Sequence, residues 1–371
     1  MIHKTIRVLW SFLLIAVITF TTGDAISVNP VVTPTKLIPR ETINITAPVK
    51  SYDELTNVLS DSLNSVCENL TLSLKNTNKW FNQQQFDKCF NLAVSRSVLT
   101  GPFYNGYKYS YTTGNTLFIK MDININYRFP RKTLLRYLSE TENKAAWIIN
   151  TVITPDMNDY LKEIALHDYI VNHACYDDIN FQNNTVPNES YTPYGILIKG
   201  TGVCEGYAHT MKLLLNKAGV ECILVYGKAD GEEHAWNIVK IDNQYYHLDA
   251  TWDDPAGVDR STYYYFNLSD KMIAVNHNWD KDLYPQCTST KHNYYRINDL
   301  WVENMTECQK RIENALANHE ERINLKVSGS SPPSFKKALQ SISAKMNFVG
   351  QYTYSYDEAL GIMEIEFMYS E

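Results

Sequence analysis

The chain has 371 residues, of which 44% are hydrophobic and 20% charged, so it can bury the cores of two or three globular domains. This composition excludes a largely disordered protein. The formal net charge of −7 provides no positive field for phosphate backbones or anionic lipid, and nucleic-acid binding is therefore not expected.

The N-terminus has the layout of a secretory signal. Lys4 and Arg7 precede an apolar run over residues 8–20, and small and polar residues follow up to Ala25. This run is shorter than the roughly 20 apolar residues that span a bilayer, which favours cleavage near Ala25 over a retained membrane anchor. Residues 1–25 are predicted to be a signal peptide, and the mature protein to be secreted or at the cell surface without a stable membrane anchor.

Residues 26–50 follow this signal and have few charges. They contain four prolines among Val, Thr and Ile, namely Pro30, Pro34, Pro39 and Pro48. Such a composition is typical of an extended, semi-rigid segment. We predict a linker without a fold of its own.

Two similar stretches flank the middle of the chain. In both stretches, apolar residues first recur at helical spacing and then alternate with polar residues, as in a strand. The stretches are residues 51–74 and 304–327, with an offset of 304 − 51 = 253 residues. Further on, each copy has a YSY run, a turn and another alternating strand. We interpret residues 51–130 and 301–371 as two copies of a small α+β module; chance coincidence of amphipathic patterns is the alternative.

The segment between the modules, residues 131–300, has a different order of elements. Helical patterns at about residues 158–172 and 204–217 precede three consecutive strand-like runs. Helices followed by an antiparallel sheet indicate an α+β domain.

Cys204 lies where the second of these helices is predicted to begin. Gly200, Gly202 and Gly206 let the backbone turn tightly around it. The thiol would then lie at the positive end of the helix dipole, which stabilises the nucleophilic thiolate.

A predicted hairpin carries a histidine and an aspartate. Asp242 and Asn243 are suited to a two-residue turn, which would place His234 and Asp249 on one face as diagonal neighbours roughly 7–8 Å apart between backbones. An odd loop would put the two side chains on opposite faces. With Cys204 packed against this sheet, His234 would move the thiol proton and Asp249 would orient the imidazole.

Three short motifs contain these residues in the order Cys, His, Asp: GVCEGYA, HAWNIV and LDATWDD. Over about residues 159–296, the chain strongly resembles the transglutaminase-like superfamily, including its exported bacterial members. The resemblance implies a papain-like core in which a nucleophile helix packs on an antiparallel sheet. It also implies that Cys204 is the nucleophile, His234 the general base and Asp249 its orienter.

Other residues near the motifs are candidates for supporting roles. Gly202 and Tyr207 stand in the cysteine motif. Trp236 and Trp252 would shield the site and hold substrate, or fill the core beneath the sheet, and core packing is favoured. The backbone N–H of Cys204 is the expected oxyanion donor, and the loop at Tyr194 and Gly195 is where a second donor is sought.

Two more histidines lie near the motifs. His209 follows the start of the nucleophile helix, and His247 shares the predicted face of Asp249. Both are interpreted as satisfied structural histidines rather than as helpers in catalysis.

The seven cysteines are an odd number. An exported chain can pair six of them and leave Cys204 free; the alternative is that all are reduced and mostly buried. The six others lack the close pairs of a zinc site, and Asp253 and Asp254 lack the ligand series of a calcium site. Neither a metal nor another cofactor is predicted.

Two functions follow from these patterns. The first is an exported cysteine enzyme that acts on protein or peptide amides through a thioester, with hydrolysis slightly favoured over transfer to an amine. The second is a cell-surface or cell-wall binding protein, in which the repeated modules recognise a partner and the cysteine domain is a scaffold.

Overall fold

The computed structural model describes residues 31–75, 82–115, 118–254, 262–328, 336–337, 339–340, 342 and 350–369. The predicted signal peptide, residues 1–25, lies outside these ranges. Among the helices they contain, none combines the length and the apolar character needed to cross a membrane.

The N-terminal module is a four-stranded sheet with two helices. Its elements are β1 (Thr42–Asn44), α1 (Tyr52–Asn64), β2 (Asn69–Lys75), α2 (Gln83–Arg96), β3 (Tyr104–Asn115) and β4 (Phe118–Tyr127). The strand order is β1-β2-β4-β3, with β1 parallel to β2 and the other pairs antiparallel. Ser51 caps α1 by accepting from Glu54 N–H, and the leucines of α1 pack on those of β2.

The prediction of an extended linker without a fold of its own over residues 26–50 does not hold at residues 42–44, which form β1, whereas residues 31–40 contain no helix or strand. Val32 exchanges two hydrogen bonds with the Asn150 side chain at 2.9 and 3.0 Å, and Thr35 N–H donates to Glu142. Farther along, β1 pairs with β2. This parallel pairing joins residues far apart in the chain, so proline content and low charge did not reveal it.

The central domain follows the predicted order of helices and then strands. It contains α3 (Arg131–Val152), α4 (Asp159–His173), β5 (Cys175–Tyr176), α5 (Asp178–Gln182), β6 (Thr201–Gly202), α6 (Cys204–Lys217), β7 (Cys222–Ala229), β8 (Glu232–Ile241), β9 (Gln244–Leu248), α7 (Asp270–Ile273), β10 (His277–Trp279) and α8 (Tyr294–Ile297). Its main sheet has the order β10-β7-β8-β9, with every pair antiparallel. Buried side chains of α4 and α6 share a core with β8 and β9, which confirms the predicted α+β class.

The C-terminal module has elements β11 (Trp301–Val302), α9 (Met305–Ala317), β12 (Arg322–Val327), β13 (Gly350–Asp357) and β14 (Ile362–Tyr369). Its sheet has the order β11-β12-β14-β13, again with a parallel first pair and antiparallel pairs after it. The strand order and directions therefore match those of the N-terminal module. The duplication of one module stays a prediction from the sequence.

All seven cysteines are free, which agrees with the second of the two alternatives, reduced and mostly buried thiols, rather than with six paired cysteines. Five are buried, Cys204 is half-buried and Cys175 is exposed. The buried cysteines sit in hydrophobic clusters as small apolar residues, for example Cys67 in the N-terminal module and Cys308 in the C-terminal one. Cys204 is thus not distinguished by being the one unpaired thiol.

Candidate active site

Cys204 is the first residue of α6, which begins and ends where the sequence predicted. The turn before it packs tightly on the segment at Ser190, whose carbonyl accepts from Val203 N–H at 2.9 Å. A Cβ at Gly202 or Gly206 would lie only 2.9 or 2.4 Å from that carbonyl oxygen, so both positions need glycine. The half-buried thiol therefore sits at the N-terminus of a 14-residue helix.

The hairpin between β8 and β9 has the predicted two-residue turn. Asp242 and Asn243 have φ of +49° and +61°, and Ile241 is paired with Gln244. Two left-handed residues in succession are the mark of a type I′ turn, which asparagine and aspartate tolerate. His234 Nε2 lies 2.7 Å from Asp249 Oδ2, which confirms that the two side chains share a face.

Asp249 is almost fully buried and has a hydrogen-bond partner for each oxygen. Its Oδ1 accepts from the backbone N–H groups of Thr251 and Trp252 at 3.0 and 3.3 Å. Burial alone would raise the pKa of Asp249, but His234 and His277 hold it well below its usual range. The carboxylate is therefore ionised and fixed in orientation.

His234 lies between this carboxylate and the thiol. Burial would lower its pKa, but the charge and hydrogen bond of Asp249, together with the hydrogen bond to Cys204, raise the pKa of His234 to about 10. Because Nε2 faces Asp249, Nδ1 is the ring nitrogen left for the thiol. The ring of His234 is therefore protonated at neutral pH and lies beside the thiol.

The sequence analysis missed His277, on β10. Its Nε2 lies 3.1 Å from Asp249 Oδ2, so two imidazoles share one carboxylate oxygen. His277 is buried because β10 pairs with the end of β7, where its Cα partner is Ala229. That pairing joins distant parts of the chain, and a histidine in a short alternating stretch gave no local signal of it.

Tyr176 was also not singled out. It lies on β5, where its Cα partner is Gly202, two residues before the nucleophile. Burial raises the pKa of the Tyr176 phenol, and the neighbouring Cys204 adds to that effect. Tyr176 therefore lies beside the turn that leads into the nucleophile helix.

The proposed supporting aromatic residues take different places. Trp236 is fully buried and donates from Nε1 to His247, so it packs the core as favoured. Trp252 is half-buried and packs against the same hydrophobic cluster as Trp236, with its ring centre 5.8 Å from that of His234. Tyr207 is buried and donates to Asp254, whereas Tyr194 stacks on Tyr137 in a hydrophobic cluster.

The other histidines have structural partners, in line with their interpretation. His209 is buried with Nε2 3.7 Å from Glu205, and burial lowers its pKa. His247 lies between Trp236 and Asp270, 2.9 Å from each, and burial lowers its pKa as well. Both rings are held by contacts that do not involve the thiol.

Within the described part of the chain, two groups have ligand types suited to a metal ion: His234, Asp249 and His277, and His247, Asp270 and Cys287. In the second group, the N–H of Trp236 points at His247 Nδ1, which places the proton of the neutral ring on Nε2, facing Asp270. An ion at Nε2 would have to displace that proton. In the first group, the imidazoles of His234 and His277 lie close to Asp249 because each forms a hydrogen bond with its carboxylate.

The aspartates after Asp249 also have protein partners. Asp253 is buried against His167 at 3.2 Å and accepts from Tyr265 N–H, and Asp254 accepts from Tyr207. Hydrogen bonding within the protein thus explains this acidic pair.

Comparison with known proteins gives the family of this region. Residues 148–250 match the family model described as the transglutaminase-like superfamily. The central domain is transglutaminase-like. The predicted core, with a nucleophile helix packed on an antiparallel sheet, is the fold found here.

Similar proteins match this domain over limited lengths. Kyphoscoliosis peptidase from Mus musculus is 24% identical over 142 residues, which cover 35% of this chain and 21% of that protein. The Homo sapiens protein of the same name is 25% identical over 142 residues. The chain thus spans about a fifth of the length of these curated relatives.

A crystal structure of a TGase also matches. It is 13% identical, with a TM-score of 0.29, and the match covers 64% of this chain and 60% of that one.

Proposed function

We propose that the protein is a cysteine enzyme that acts on protein or peptide amides through Cys204, His234 and Asp249. The observation that carries this proposal is the His234–Asp249 hydrogen bond beside a thiol at a helix N-terminus. A nucleophile, a base and an orienting carboxylate in this arrangement are the elements of acyl transfer. The transglutaminase-like fold of the domain supports a catalytic role.

The proposed reaction has two steps, and His234 transfers a proton in each. The Cys204 thiolate attacks the amide carbonyl, and the imidazolium of His234 gives its proton to the departing amine as the carbon–nitrogen bond breaks. The resulting thioester is then attacked by water or by an amine, with neutral His234 as the base. Asp249 keeps the ring oriented through both steps.

The oxyanion of the tetrahedral intermediate needs two donors. The backbone N–H of Cys204, at the first position of α6, supplies one. We propose the Tyr176 hydroxyl as the second, because the Cα partner of Tyr176 is Gly202, two residues before Cys204. Tyr176→Phe is expected to lower kcat about 10²-fold with little change in KM; an unchanged kcat would remove Tyr176 from this role.

Hydrolysis and transfer differ in the acceptor. The curated relatives are named peptidases, which supports hydrolysis to the limited extent of their alignment. An amine-incorporation assay beside a peptide-hydrolysis assay, on one protein substrate such as casein, separates the two. The apolar N-terminal run supports an exported enzyme whose protein or peptide substrate lies at the cell surface or cell wall.

The second candidate is a non-catalytic binding protein, favoured by the two flanking modules of like strand order. A thiol-directed probe distinguishes the candidates. Cys175 is exposed and would also react, so the experiment uses Cys175→Ser as the parent protein. In that parent, iodoacetamide should label Cys204 at pH 6.5, and His234→Ala should lower the rate at least tenfold; equal rates would favour the scaffold.

A further inference from the structure

A cleft of about 870 Å³ lies between the N-terminal module and the central domain. The end of α2 and the turn after it form one wall, and α6, β7 and residues 283–285 form the other. Glu205, which directly follows Cys204, lines the cleft, and so does Tyr226, next to the Cα partner of His234. The cleft therefore comes within one residue of Cys204 along the chain, although neither Cys204 nor His234 lines it.

Large apolar side chains on its walls are open to solvent. Leu92, on the module, is 44% exposed, and Tyr226 and Leu283, on the central domain, are 53% and 71% exposed. An apolar side chain placed between them would remove surface from water on both walls, at roughly 25 cal/mol per Å². The volume lies in the range usual for ligand sites, about 300–1,000 Å³.

The edge of β7 in this cleft is unpaired at one residue, Leu224, between the partnered N–H groups of Cys222 and Tyr226. Tyr226 N–H donates to the Tyr284 hydroxyl at 3.2 Å and thus points away from β8. Because alternate residues of a strand direct their backbone groups to the same side, Leu224 N–H and C=O also point away from β8. Among the described residues, β10 pairs only with the far end of β7, at residues 227–229, and the Leu224 backbone groups have no backbone partner.

We propose that this cleft binds an extended polypeptide that pairs with β7 at Leu224 and places apolar side chains between Leu92 and Leu283. Backbone groups spaced along an open strand edge recognise another extended backbone, whereas the apolar walls select its side chains. An amide beyond the paired segment then reaches Cys204. The proposal rests on the proposed function, and it gives the N-terminal module the role of a substrate-binding wall.

Two peptidyl vinyl sulfones test the side-chain selection. They differ only in the two residues before the electrophile, Leu-Leu or Gly-Gly, and add to the thiolate of Cys204 in the Cys175→Ser parent. Each rate is divided by the iodoacetamide rate of the same variant. The Leu-Leu probe should react at least tenfold faster than Gly-Gly, and Leu92→Asp should reduce that ratio to threefold or less.

Leu161→Asp is the matched control, since Leu161 is 43% exposed on α4 and does not line the cleft. It should leave the ratio unchanged. A ratio near one in the parent, or the same ratio in Leu92→Asp and Leu161→Asp, would overturn the proposal.

The backbone pairing has its own test, which requires no protein variant beyond the Cys175→Ser parent. Successive N-methylation of the peptide bonds in the Leu-Leu probe should lower its rate at least tenfold at one position, where the amide donates to β7. Equal rates for every N-methyl probe would contradict pairing. If iodoacetamide labels the parent and His234→Ala equally, the proposed function fails; if labelling depends on His234 but the Leu92 and N-methyl effects are absent, only the cleft proposal fails.

Discussion

The two flanking modules have the same strand order, yet they meet the central domain in different ways. In the C-terminal module, Leu360 and Ile362 belong to one hydrophobic cluster with Trp236 of the main sheet. On the side of the N-terminal module that faces α6, the Arg128–Glu205 ion pair at 2.9 Å crosses to the helix, and Val98 and Leu99 pack at the margin of the central core. The C-terminal module continues a hydrophobic core of the central domain. The N-terminal module leaves a cleft that is open to solvent, next to Glu205, the residue after Cys204.

This difference indicates that the same architecture serves two purposes. Buried apolar contacts fix the C-terminal module and stabilise the sheet that carries His234. Val66 and Phe103 of the N-terminal module pack in one hydrophobic cluster with residues of α3, and the end of α2 lines the cleft opposite α6. We therefore expect changes in the C-terminal module to affect stability and changes at the cleft to affect substrate use.

The largest expected effect is a loss of turnover caused by a change in the central domain, outside both modules. Asp249→Asn should lower the turnover of a peptide substrate about 10³–10⁴-fold, because the His234 ring loses its fixed tautomer. Asp270→Asn is the matched control, since Asp270 bonds His247 rather than His234. Steady-state kinetics on both folded variants measure this; equal losses would show that the His234–Asp249 pair has no special role.

The second largest effect is expected on the free energy of unfolding, when the apolar contact between the C-terminal module and the main sheet is removed. Leu360 is 4% exposed, so Leu360→Ala should lower the free energy of unfolding by about 2–4 kcal/mol. Leu92→Ala, at a half-exposed position facing the cleft, should change it by about 0.5 kcal/mol or less. Urea unfolding of both variants makes the comparison, and similar losses would contradict the contrast between the modules.

A smaller effect is expected on the pH dependence of the free energy of unfolding. Burial lowers the pKa of Lys326 to about 8, and Lys326 donates to the Leu360 carbonyl. The folded state therefore binds fewer protons than the unfolded state between about pH 8 and 10, and this group makes stability rise with pH over that range.

Lys326→Met should remove this rise, so the difference in unfolding free energy between wild type and variant should change by about 1–2 kcal/mol between pH 7 and 10. The offset of 326 − 253 = 73 gives Ser73 in the N-terminal module, which does not titrate. Ser73→Ala, measured in the same way, serves as the control without pH dependence. A pH-independent difference for Lys326→Met would show that the ammonium is not desolvated in the folded state.

The smallest expected effect is at the Arg128–Glu205 pair, whose side chains are 19% and 23% exposed. Arg128→Ala should cost about 1 kcal/mol or less of stability, and less at high salt. Thermal unfolding at low and high ionic strength measures it. A loss of several kcal/mol would mean that this polar interface, too, is a core contact.

Local signals were enough to predict part of the site. The residue pair Asp242 and Asn243 suits left-handed backbone, and that alone fixed the register that brings His234 to Asp249. Glycines around Cys204 predicted the start of α6 for a similarly local reason. These elements depend on neighbours in sequence, so the sequence contains the necessary information.

The rest depends on contacts between distant segments. His277 reaches Asp249 because β10 pairs with β7, and β1 reaches β2 across the whole of α1. The expectation of disulfides used cysteine number and export, whereas five of the seven thiols are buried as core residues. Neither periodicity nor composition reports such pairings.

The short strand β1 has a consequence for shortened forms of the protein. It covers the edge of β2 at residues 69–71, where backbone groups would otherwise be open. A chain cut to begin at residue 50 would expose that edge to strands of other molecules, the usual first step in sheet-to-sheet aggregation. A soluble preparation therefore needs the residues before the first helix, although their composition suggests they are dispensable.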